Sequence, residues 1–96
     1  MDIQQVTDIH FFYQQFLLQI RCTRFTNAFR NENEKKAELV HWLMNEKKQR
    51  NFGHRCRREI SYMLEEIDKN RLNDLDVKIA NLERNCALIL MELKAG

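Results

Sequence analysis

A chain of 96 residues in which 44% are hydrophobic and 31% charged has the make-up of one folded domain and not of a disordered polymer. It has no proline and only two glycines, Gly53 and Gly96. Hairpin-rich β architectures and glycine-rich phosphate loops need those residues at their turns, so the composition excludes them and favours long helices joined by few breaks. The formal charge of +2 is too small to indicate nucleic acid by itself.

The first apolar set is Val6, Ile9, Tyr13, Phe16, Leu17, Ile20 and Phe25, with Phe12, Leu18 and Cys22 widening it. The period of about 3.6 predicts a helix over 3–25, with Asp2 as its cap. Phe11, Phe12, Tyr13 and Phe16 fall within two turns and cannot all enter one narrow stripe. Phe11 and Phe12 are therefore candidates for contact with another element or a second chain.

Asn31, followed three residues later by Glu34, has capping-box spacing, with Asn33 as an alternative cap, and predicts a second helix over 31–50. Glu32 and Glu34 oppose the positive end of its dipole, and Lys47, Lys48 and Arg50 the negative end. Ala37, Val40, Leu43 and Met44 are expected to face inward. Leu39 or Trp42 broadens that stripe, which makes Trp42 an interface candidate or the edge of the core.

Asn51-Phe52-Gly53 is the best break in the chain. After it, Cys56, Ile60, Met63, Leu64 and Ile67 share one face of a helix predicted over 54–68. The last helix, predicted over 72–94, carries Leu72, Leu75, Ile79, Leu82, Cys86, Ile89 and Leu93 at alternating intervals of three and four. That is a coiled-coil-like seam. Its partner is either the first helix or a second chain, so Leu75, Ile79, Leu82 and Ile89 are read as interface candidates. The expected fold is an all-α, four-helix bundle-like single domain over 1–96, with a long coiled-coil-like helix at the end.

Positive charge collects around the break, in Lys47, Lys48, Arg50, Arg55, Arg57 and Arg58. Lys47, Lys48, Arg50, Arg55 and Arg58 are candidate phosphate contacts, in an arrangement that superficially resembles a helix-turn-helix. No exposed aromatics interleave with them as a single-strand platform requires. His54 and Cys56 lack the spacing of a structural zinc site, and His10, His41 and His54 lack closely spaced catalytic partners. The expectation is a noncatalytic protein with neither cofactor nor metal. Cys22, Cys56 and Cys86 are odd in number and far apart, which fits reduced thiols in an intracellular, soluble protein. No window approaches the roughly 20 apolar residues of a membrane span. The functional expectation is a homodimeric protein–protein interaction module, a regulatory adaptor or inhibitor. The alternative is a small nucleic-acid-associated regulator.

Overall fold

The computed structural model describes residues 2–28, 31–48 and 54–95. It contains four helices: α1 (Ile3–Phe25), α2 (Glu32–Lys48), α3 (Arg57–Lys69) and α4 (Leu72–Ala95). There is no strand among the described residues. The all-α expectation holds, and the ends predicted for α1 and α4 hold to within a residue.

Each start has a local cause. Asp2 accepts the Gln5 N–H at 2.7 Å, and Asn31 accepts the Glu34 N–H at 2.9 Å, each satisfying a donor that a first turn leaves open. The third helix begins three residues later than predicted, at Arg57, with Cys56 in the N-cap position. The reason is tertiary. Cys56 is buried with its thiol 3.6 Å from the Asp8 carbonyl, and Arg55 reaches the Asp8 carboxylate at 3.2 Å. Both hold 54–56 in a turn against α1. Arg50 and the glycine break at 51–53 lie outside the described residues.

The longest contact runs between α1 and α4, which are antiparallel: Arg24 meets Asn73 and Asp76, and further along His10 meets Glu83. α2 and α3 cover the inner side of this pair. The core they close contains Phe12, Phe16, Ile20, Leu39, Leu43, Ile60, Met63, Leu75 and Ile79. Trp42 stacks on Phe12 and Phe16, with ring centroids 6.4 and 5.8 Å away. That stack rotates α2 relative to the expectation. Leu39 and Leu43 point inward, whereas Ala37 and Met44 are exposed, because turning Trp42 inward buries far more apolar surface than turning Ala37 inward.

Polar groups tie one end of the bundle together. Asp76 is buried and accepts from Arg21 Nε at 3.3 Å and from Arg24 Nη1 at 2.9 Å. Arg24 also donates to Asn73. α2 then serves both of its neighbours. Lys35 Nζ donates to the Arg24 carbonyl at 2.7 Å, near the end of α1, and Glu32 Oε1 accepts the Leu72 N–H at 2.9 Å, at the start of α4. Orphan groups at two helix termini are thereby satisfied by the start of a third.

On the α3–α4 side, Glu66 Oε2 accepts from Lys78 Nζ and from Asn70 Nδ2, both at 2.7 Å. The Lys78 hydrogen bond holds the Glu66 carboxyl below the usual carboxylate range, and its burial opposes that only in part. A carboxyl depressed by folding adds stability that is complete above its unfolded pKa, about 4.3, and is lost as pH falls through the lower folded value. Urea midpoints of wild type and Glu66→Gln should therefore differ most at neutral pH and converge below about pH 4. A difference that does not change with pH would remove the linkage.

The seam of α4 divides within the chain. Leu72, Leu75 and Ile79 are core, Leu82 and Cys86 are half-buried, and Ile89 and Leu93 are exposed. Leu75→Ala should cost about 2 to 5 kcal/mol in urea unfolding, as full truncation at a packed leucine does. Leu82→Ala should cost clearly less, and equal losses would contradict the graded burial.

Candidate interaction surfaces

α1 is apolar on two sides. Its inner side carries Val6, Ile9, Phe12, Phe16 and Ile20 into the core. Successive residues turn by about 100°, which puts Phe11, Leu18 and Phe25 roughly opposite that set. These three are seven residues apart and are 51%, 53% and 74% exposed. From Ile9 to Ile20 the helix carries no Asp, Glu, Lys or Arg, so its outward side shows glutamine and hydrophobe where a solvated helix ordinarily shows charge. Cys22 is exposed on this same side.

α4 continues the face. Val77, Leu88 and Met91 are exposed and lie on the side of α4 turned away from Leu75 and Ile79. Because α1 and α4 are antiparallel, with Arg21 on Asp76 and His10 on Glu83, Leu18 comes level with Val77 and Phe11 with Arg84. The inner side of both helices is covered by α2 and α3, so the outer side forms one continuous two-helix surface. Arg21, exposed and bound to Asp76, borders the face on α1, and Asp74 and Arg84 border it on α4. Asp74 and Arg84 are both exposed, and neither has an ion pair among the described residues.

A second apolar feature lies where α1 and α4 extend past the start of α3. Val6, Ile9, Tyr13, Leu82, Cys86 and Ile89 line a groove of about 250 Å³, with Glu59 at its edge. Burial, reinforced by the nearby Glu59 charge, keeps the Tyr13 phenol protonated far above its ordinary range.

The residues singled out in the sequence fall into separate places. Phe12, Leu75 and Ile79 are inside the chain's own core, and half-buried Trp42 is packed against it. Leu82 and Ile89 meet in the groove, and Phe11 lies on the outer face. The sequence reading missed Leu18 and Phe25 as surface residues, having counted them among the inward set. The usable signal was the missing charge on the side opposite the buried set, since Val6, Tyr13 and Ile20 share the seven-residue spacing.

Of the basic side chains, Lys47, Lys48 and Arg58 are exposed. Arg55 is engaged by Asp8, and Glu59 shares a shallow polar cleft with Arg57 and Arg58. Among the described residues no three side chains of His, Cys, Asp or Glu converge as metal ligands, and no helix is long and apolar enough to cross a membrane. Compared with protein-family models, curated proteins and solved structures, the chain matches none.

The three thiols differ in environment. Cys56 is buried and its thiol is pushed up to about 12 by that burial, with Glu59 adding to the effect. Burial also raises the half-buried Cys86. Because the thiolate is the reactive form, alkylation of the dilute native protein followed by peptide mass mapping should modify Cys22 first and Cys56 last. Early modification of Cys56 would contradict its packing against Asp8.

Proposed function

We propose that the chain is a noncatalytic helical protein–protein interaction module, a regulatory adaptor or inhibitor acting through the outward face of the α1–α4 pair. The observation that carries this reading is the stretch from Ile9 to Ile20, which has no Asp, Glu, Lys or Arg and whose outward side exposes Phe11 and Leu18 and leads on to Phe25. Depletion of charge at the centre of a patch, with aromatic residues present, is the compositional mark of an interface core. Contiguous apolar patches of this kind are uncommon on proteins that work alone.

Nucleic-acid binding at the basic turn has weaker support. Asp8 and Glu59 place carboxylates among the arginines, and Arg55 already has a partner.

The test uses a tagged chain and a Leu18→Glu/Phe25→Glu variant. Both positions are exposed, so the variant should keep its circular dichroism and lie within about 0.5 kcal/mol of wild type in stability. Capture followed by mass spectrometry should retain a specific protein with wild type, an untagged copy of the chain counting as one, and lose it with the variant. Identical captured sets would sink the outward face as the working surface.

A further inference from the structure

We infer that the occupant of this outward face is a second copy of the same chain, laid across it antiparallel about a two-fold axis. This inference rests on the reading of the face as an interface and names its partner.

The first argument is self-complementarity, which a two-fold interface demands because each copy offers the same patch. On α1 the face has no Asp, Glu, Lys or Arg between Ile9 and Ile20, and His10 is turned to Glu83, so apposing it to itself neither opposes like charges nor desolvates an unpaired ion. On α4 the two charges that flank the middle of the face are Asp74 and Arg84, of opposite sign. An antiparallel two-fold exchanges the two halves of the face. It brings Arg84 of each copy toward Asp74 of the other, giving two ion pairs at the margin of an apolar centre. The same operation carries Phe11 of one copy toward Leu18 of the other.

The second argument is area. A 23-residue helix is about 34 Å long, and two helices packed side by side present a width of about 18 Å. Such a face offers roughly 600 Å² per copy, about 1,200 Å² in total, which is the lower edge of specific interfaces. The expected dimer is therefore one that dissociates in the micromolar range.

Sedimentation of the untagged chain from about 1 to 200 μM should show a monomer–dimer equilibrium, with the weight-average mass rising from the 11.7 kDa of the chain toward twice that value. Leu18→Glu should abolish the rise while leaving the helical content unchanged. Arg84→Asp should weaken dimerisation at least several-fold, and adding Asp74→Arg to it should restore much of the loss. Cys22 sits one turn from both Leu18 and Phe25, so its reaction with a thiol reagent should slow as the protein concentration rises, and this slowing should be absent in Leu18→Glu. A monomer at 200 μM overturns the inference, as does a dimer indifferent to Leu18→Glu or a double charge exchange that fails to restore association. A monomer whose capture of another protein still depends on Leu18 and Phe25 would overturn the second copy alone and leave the interaction module standing.

Discussion

Everything else in this fold depends on the antiparallel contact between α1 and α4. It is the longest apolar seam in the molecule, and one end of it is fixed by Asp76 held between Arg21 and Arg24. A buried carboxylate is costly unless its charge and its lone pairs are satisfied, and here two guanidinium groups from the last two turns of α1 satisfy it. The geometry is also favourable to both dipoles, with arginine at the C-terminal end of α1 and aspartate near the N-terminal end of α4. Sliding one helix along the other would strand the carboxylate. The pairing therefore sets register as well as attraction, and with the register it sets which side chains point outward together.

α2 and α3 are fitted to the inner side of that pair and not to each other alone. The Phe12, Phe16 and Trp42 stack fixes the rotation of α2, and Asp8 fixes the start of α3 through the Arg55 side chain and the Cys56 thiol. Both shorter helices are positioned by residues of α1. A chain this small has a thin stability margin, and it places its aromatic bulk where three helices meet. No helix covers the outer side of α1, which exposes Leu18 and Phe25.

Helix number and the outer boundaries were legible in the sequence because caps and periodicity act locally: Asp2, Asn31 and the run from Leu72 onward each carry their own signal. The start of α3 was not legible. His54 and Arg55 are unremarkable at a helix start, and what keeps them out of the helix is Asp8, nearly fifty residues away. α2 misled for a related reason. Ala37, Val40, Leu43 and Met44 make a fair stripe, but the ring stack outweighs it, and a stack between two helices leaves no trace in the period of either. α1 posed the hardest case. A helix apolar on two sides satisfies the 3.6 period in more than one direction, so hydrophobicity alone does not separate Leu17, which is buried, from Leu18, which is exposed. In α4 the alternation of three and four was real, yet burial fades from Leu75 to Ile89 because α3 is shorter than the helices it covers.

Phe11, Leu18 and Phe25 repeat at seven, and seven residues fall about 20° short of two full turns of a straight helix. The stripe therefore winds slowly around α1, by about 40° from Phe11 to Phe25. A helix lying strictly parallel to the axis would follow it at one end and leave it at the other. A helix that crosses at about 20° in the left-handed sense follows it throughout, which is the angle common among four-helix bundles and coiled coils. The inner side of α1 repeats at seven as well, in two interleaved lines, Val6, Tyr13 and Ile20 beside Ile9, Phe16 and Thr23. Two lines make a side wide enough to pack against more than one neighbouring helix. The outer side keeps a single line, narrow enough for one long element to lie along.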